Sequence, residues 1–149
     1  MNLTFDTNVL VYATALDPAA KARRARELIA RGMRSGSAVL LLQTLAEFSH
    51  VAIRKAAVPV DRVGTIIDGW RAVLPVRAAA EEDLAAALHG VKTRRMAFWD
   101  AMLWATARRV GVRQVLTEDL QDGFTLESVR FINPFNAAND NLIDSILPP

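Results

Sequence analysis

The sequence predicts an α/β fold built around a mainly parallel sheet. Three observations carry the prediction. Short apolar runs recur along the chain, each is followed by a stretch with helical periodicity, and one run, residues 38–42, is apolar throughout. Strands alternating with helices imply parallel strands joined by helical crossovers. An unbroken apolar strand implies a sheet covered on both faces. With 149 residues, 52% of them hydrophobic, the chain can bury one sizeable core.

The elements follow in order. Residues 3–5 read as a buried strand that ends at Asp6, and residues 8–15 as a turn or two of helix. Asp17 and Pro18 suit an N-cap and a first helical position, opening a helix to about Arg31. Within it Ala22, Ala25, Leu28 and Ile29 form the apolar stripe, so Lys21, Arg23, Arg24, Arg26 and Arg31 are expected mostly in solvent. Gly32 and Gly36 bracket a break before the strand at 38–42. Thr44 and Glu47 have capping-box spacing at the head of a helix over 44–54. Pro59 and Asp61 open another to about residue 72, and residues 73–76 read as extended. A helix over 79–92 carries Glu81, Glu82 and Asp83 at its start, where the helix dipole favours acids. The helix over 98–110 has Arg108 and Arg109 in its last turn and Gly111 as its stop. Residues 114–117 and 129–132 are the final strands. A domain is expected over residues 1–135, followed by a tail, 136–149. Its apolar cluster of Leu142, Ile143, Ile146 and Leu147 either docks or stays loose.

Composition excludes several kinds of chemistry. There is no cysteine, hence no disulfide framework, thiolate zinc site or cysteine nucleophile. Two histidines are too few for a histidine-built zinc site, so any metal must be held by oxygen. No basic leader or membrane-length apolar run is visible, and a cytoplasmic protein is expected. The net charge of +2 divides into +4 over residues 1–75 and −2 over residues 76–149. Of the 18 basic residues 15 are arginine, which suits phosphate contacts but also a solvated helix face.

Four acids stand out by position. Asp6 lies where the first strand ends, the edge at which parallel sheets bind ligands, although an Asp there can also cap the next helix. Glu47 lies in the first turn after the second apolar run, where it could equally complete the capping box. Asp100 is the single charge in the stretch 97–107, expensive to bury unless a cation or a solvent-facing first turn relieves it. Glu118, Asp119 and Asp122 follow the strand at 114–117, either as part of a site or as an acidic loop. A parallel sheet brings such positions to one edge. Clustered carboxylates repel unless protonated or bridged, and sulfur-free oxygen clusters favour hard cations such as Mg²⁺ or Mn²⁺.

These residues resemble the PIN-domain family. The opening Phe5-Asp6-Thr7-Asn8-Val9-Leu10-Val11-Tyr12 is similar to its strand-to-helix signature. Glu47, Asp100 in Trp99-Asp100-Ala101, and Thr117-Glu118-Asp119 match its second, third and fourth acids, and Ile132-Asn133-Pro134-Phe135 its close. The resemblance spans about residues 2–135 and implies a three-layer α/β/α sandwich and Mg²⁺- or Mn²⁺-dependent cleavage of RNA. It further implies that Asp6, Asp100 and Asp119 hold metal, and that Glu47 holds a second ion or orients water. Asn8 and Thr117 would support the carboxylates. Many compact bacterial members are VapC-like toxins that dimerise and are silenced by a small antitoxin, so a homodimer and an antitoxin are the implied partners.

Lys92, Arg94 and Arg95 precede Asp100 and are candidates for positioning RNA phosphates, or belong to a solvated turn. Trp99 and Trp104 are expected in the core or a dimer interface rather than stacked on bases, and His50 is expected to be structural or exposed. His89, just before Gly90, is expected at a helix end, where the dipole favours it. A phosphotransferase with an aspartyl nucleophile would need a second Asp two residues after Asp6, where this chain has Asn8; no P-loop motif is present. The alternatives left open are a PIN-like module that holds RNA or protein without cutting, and a housekeeping nuclease rather than a toxin.

Overall fold

Each apolar run makes only a short strand, because the chain turns into a helix almost as soon as it has crossed the core. The computed structural model describes residues 2–14 and 20–149, so the helix start expected at Asp17 and Pro18 lies outside the described residues. β1 (Leu3–Phe5) leads through Asp6 into α1 (Thr7–Thr14), followed by α2 (Ala20–Ser35). β2 (Leu40–Leu41) passes directly into α3 (Leu42–Arg54), and α4 (Val60–Arg71) precedes β3 (Val76–Arg77). Then come α5 (Glu81–Arg94), α6 (Phe98–Arg109), β4 (Gln114–Leu116), β5 (Thr125–Leu126) and β6 (Val129–Ile132). A 3₁₀ turn (Ala137–Asn139) and α7 (Asp140–Ile146) follow.

The strand order is β1-β4-β6-β5, parallel except for the edge strand β5. β2 and β3 form a separate parallel pair, joined to β1 by a bridge between Leu3 and Ala38. Side chains alternate between the faces. Leu3, Phe5, Leu40, Leu116 and Ile132 pack with Leu10, Leu28 and Phe48. Val39, Leu41, Val115 and Phe131 pack with Ala101, Leu103 and Trp104. Helices therefore cover both faces, which makes the three layers of an α/β/α sandwich. No helix among the described residues is long and apolar enough to cross a membrane.

Several local expectations are corrected. The run at 38–42 gives a two-residue strand and a bridge; Leu42 starts α3 and is 51% exposed. The capping box at Thr44 and Glu47 does not form. Thr44 lies inside α3 and its hydroxyl donates to the Leu41 carbonyl at 2.8 Å, while Glu47 turns toward other partners. Of the stretch 73–76 expected to be extended, Val73 and Leu74 turn back on α4, with the Leu74 N–H on the Trp70 carbonyl at 2.8 Å, while Pro75 accepts from the Leu40 N–H at 2.9 Å and Val76 opens β3. β5 was not anticipated, since its hairpin carries positive φ at Glu127 rather than at an Asn or Gly. His89 is an exposed residue inside α5, which continues to Arg94.

Arg31 is buried rather than solvent-facing. It donates to Asp144 Oδ1 at 2.6 Å, to the Leu147 carbonyl at 3.3 Å and to Glu27. With Ile143 and Leu147 buried in the core, it holds α7 on the sheet. Gly32 lets α2 approach β1: a Cβ there would lie 2.9 Å from Ala38 Cβ and 3.1 Å from the Phe5 ring.

Candidate active site

Strand register sets the site. Phe5 pairs with Leu116 and Leu116 with Ile132, and the Asp6 N–H reaches the Leu116 carbonyl at 2.9 Å. The carboxyl ends of β1 and β4 are therefore side by side, and the next residues, Asp6 and Thr117, face each other. Asp6 also starts α1, since its carbonyl accepts from the Val9 and Leu10 N–H groups at 3.1 and 3.4 Å. The helix-opening and site readings of Asp6 hold together in geometry.

Asp6 is 7% exposed, and its carboxylate is held by Thr7, Asn8 and Thr117. Oδ1 accepts from the Thr7 N–H at 2.7 Å; Oδ2 accepts from Thr117 Oγ1 at 2.6 Å and Asn8 Nδ2 at 3.3 Å. Asn8 Nδ2 also reaches Thr117 Oγ1 at 3.1 Å and Asp119 Oδ2 at 3.0 Å, so one amide links carboxylates from the two ends of the domain. The Asp119 N–H closes the turn on Thr117 Oγ1 at 3.1 Å. Asn8 Oδ1 is buried without a hydrogen-bond partner. On the facing side Glu47 accepts from Thr7 Oγ1 at 3.3 Å and from Gln43 Nε2 at 2.7 Å.

Glu47 and Asp119 lie near enough for their charges to act on both Asp6 and Asp100. Burial pushes the Asp6 carboxyl up to about 6; hydrogen bonds from Thr117 and the Thr7 N–H oppose it, and the charges of Asp119 and Glu47 add to it. Asp100, in the first turn of α6, is also raised, by burial first and then by the same two charges.

The other two acids of the 118–122 segment point elsewhere. Glu118 accepts from Tyr12 Oη and Lys21 Nζ, which hold its carboxyl below the usual range despite burial. Asp122 accepts from the Asn133 N–H and from the Asn136 and Asn139 side chains at 2.8–2.9 Å. Thr7, Gln43 and the Tyr12–Lys21 pair were missed by the sequence reading. Gln43 could have been found, since it sits one helical turn before Glu47. Trp104 is buried, with its indole N–H on the Leu126 carbonyl at 3.2 Å, whereas Trp99 is 62% exposed. Lys92, Arg94 and Arg95 are exposed, and Arg95 takes a left-handed conformation just after α5. His50 is exposed beside the site on α3.

The donors suit a hard divalent cation in type, since all are oxygen, and in charge, since Glu47 and Asp119 both raise Asp6 and Asp100. As the side chains are placed, however, no three acids or histidines among the described residues are close enough to hold one ion. The Asn8 amide stands between Asp6 and Asp119.

The family model of the PIN domain matches residues 3–124. The chain belongs to the PIN-domain family. Among solved structures its fold is similar to the DNA-bound VapBC of Salmonella typhimurium, at 16% identity over 90% of this chain and 98% of that one, with a TM-score of 0.67. It is similar also to a toxin–antitoxin complex from Klebsiella pneumoniae, at 15% identity over 91% and 98%, TM-score 0.64. A third is VapC20 of Mycobacterium tuberculosis, described as a sarcin–ricin loop cleaving toxin, at 16% identity over 79% and 90%, TM-score 0.61. Comparison with curated protein sequences gave no match. At these identities the structural likenesses establish the PIN fold.

Proposed function

We propose that this PIN domain is an endoribonuclease dependent on Mg²⁺ or Mn²⁺, acting as the toxin of a toxin–antitoxin pair. The observation that carries the reading is the shared mouth of Asp6, Glu47, Asp100 and Asp119, drawn from the ends of β1 and β4, the second turn of α3 and the first turn of α6. Such a concentration of carboxylates is costly unless a cation offsets it.

Asp6, Asp100 and Asp119 would hold the ion, with Glu47 serving a second ion or the attacking water. A divalent cation bound there supplies a water of lowered pKa and offsets charge on the phosphate. The chain's own residues do the positioning. Thr7, Asn8 and Thr117 fix the Asp6 carboxylate. Asn8 aligns Asp119 with Asp6, and Gln43 and Thr7 aim Glu47 at the site. Lys92, Arg94 and Arg95 are proposed to contact RNA phosphates near Asp100. No side-chain nucleophile is required.

The partner proposals are a small antitoxin protein and a second copy of the chain, in a cytoplasmic setting. The toxin–antitoxin assemblies of the fold neighbours support the first. Leu84 and Leu88, about half exposed one turn apart on α5, offer an apolar face for the second. A second reading, a module that holds RNA or protein without cutting, is favoured by the absence of three acids within reach of one ion among the described residues.

Purified protein incubated with RNA separates the two. The nuclease should cut with Mg²⁺ or Mn²⁺, stop with chelator, and lose at least a hundredfold in rate in Asp100→Asn while staying folded, since an amide is a poor ligand for hard cations. Wild-type binding of RNA with no metal-dependent cleavage would leave the binding module. Induced expression that does not slow growth, from an active enzyme, would indicate a housekeeping nuclease.

A further inference from the structure

We propose that the apolar groove beside the acidic mouth is a nucleobase subsite, in which an unpaired base of single-stranded RNA stacks on Trp99. The proposal rests on the nuclease reading above, and it places the base of an unpaired nucleotide, which can leave the stack, on one named side chain.

The groove has a volume of about 700 Å³ and runs between α3 and the start of α6. Leu42, Val51 and Met102 supply apolar wall, Trp99 supplies an aromatic one, and Gln43 and His50 supply polar groups able to meet the edge of a base. Of the three tryptophans Trp70 and Trp104 are buried at 8% and 2%, and only Trp99 presents its ring to solvent. Its ring is braced edge-on by Phe98, with centroids 5.0 Å apart at 71°. Its backbone is fixed too: Gln43 Nε2 donates to the Trp99 carbonyl at 2.9 Å and, from the same amide, to Glu47 Oε1 at 2.7 Å. The aromatic wall and an acid of the site are therefore held by one side chain. Trp99 also directly precedes Asp100 in the chain.

Charge decides what can lie there. Glu47 lines both the groove and the mouth, so a phosphate seated in the groove would meet a carboxylate, whereas a base carries no net charge and gains from stacking. A second copy seated in the groove would cover Glu47 and close the mouth that the reaction needs open. An extended strand instead sets a base on Trp99, and its phosphate would lie at the acids only where a cation offsets their charge.

The test uses the wild-type full chain in chelator, so that no RNA is cut. One probe is a pool of random-sequence single-stranded RNA octamers; the other is an octamer of abasic ribose phosphates with the same backbone charge. Wild type should bind the normal pool about tenfold or more tightly than the abasic strand, with quenching of tryptophan fluorescence. Trp99→Ala should erase both the preference and the quenching, and Trp99→Phe should keep most of the preference. The proposal is overturned if Trp99→Ala retains the preference, if wild type shows none, or if Trp99→Ala instead turns a dimer into a monomer in sedimentation with RNA affinity unchanged. The nuclease reading is scored separately, by cleavage of the same octamers when Mg²⁺ is restored; binding with the Trp99 signature and no cleavage would sink that reading and leave the subsite standing.

Discussion

Replacing Asp6 by Asn should stabilise the protein in the absence of divalent cations at pH 7, although it removes the most deeply held acid of the site. Asp6 titrates at about 6 in the fold against an ordinary 3.8. Between those values the folded chain holds the proton more tightly than the unfolded chain, so stability is present at low pH and is lost as pH rises from about 4 to about 6. Once Asp6 is ionised, near pH 7, the cost is about 3 kcal/mol. An amide carries no charge, but its NH₂ would face Asn8 Nδ2 and displace Thr117 Oγ1 from its acceptor, returning about 1 kcal/mol. The net gain is about 2 kcal/mol, a melting temperature higher by about 4–8 °C for a chain of this size. The curves should cross at about pH 4.5, with wild type the more stable below that. Calorimetry of both proteins in chelator from pH 4 to 7 reads this directly. With Mg²⁺ at about a hundred times its Kd, wild type should gain about 2.7 kcal/mol and the variant little, which restores the wild-type lead. A stability difference that does not change with pH would show that Asp6 carries no burial cost and would refute the reasoning.

Three further outcomes are expected. Among the acids of the fourth segment, Asp119→Asn should abolish metal-dependent cleavage of RNA while Glu118→Gln and Asp122→Asn keep most of it, because only Asp119 is tied to Asn8; loss of cleavage in either of the others with Asp119→Asn active would reverse the assignment. Arg109→Met should cost about 2–3 kcal/mol in urea unfolding, since Asp83 is 2% exposed and the guanidinium at 2.9 Å is what holds its carboxyl below the usual range against burial. Gly32→Ala should cost about 1–3 kcal/mol, because the new methyl would meet Ala38 at 2.9 Å, and an unchanged melting temperature would mean that α2 can move aside.

The fold was legible where periodicity was long or a strand ended in an acid. The helix at 60–71 was announced by Pro59 and Asp61 and that at 98–109 by its stop at Gly111, and the strands at 3–5, 114–116 and 129–132 were apolar and abrupt. What stayed hidden was decided by partners distant in sequence. Arg31 looks like one more surface arginine until α7 returns to lie on it, 113 residues later, with Asp144. The run at 38–42 reads as one strand, but the hydrogen bonds that would extend it go to Leu3 and Pro75, and after Leu41 the chain coils into α3. The Thr44–Glu47 spacing matched a local rule, yet Glu47 found Thr7 and Gln43 instead. The acids were legible individually as strand-end residues; that Asn8 joins two of them needed the register of β1 against β4.

That register also separates the acids proposed to hold a cation into one fixed by the sheet and others nearer solvent. Asp6 is buried and held through both oxygens by three neighbours, so its position is set by the sheet itself. Asp119 is exposed and Asp100 half-buried, so these two can swing without disturbing the core. A cation entering the mouth would displace the Asn8 amide from between Asp6 and Asp119 and draw the two looser carboxylates toward the anchored one. The amide is well suited to that place, because its N–H donors relieve the repulsion between carboxylates until a stronger positive charge replaces them. Asn8→Ala should then leave Asp6 and Asp119 facing each other with less relief. In chelator such a variant should melt below wild type, and saturating Mg²⁺ should recover more stability in it than in wild type. Equal recovery in the two proteins would mean that Asn8 does not stand in for the ion.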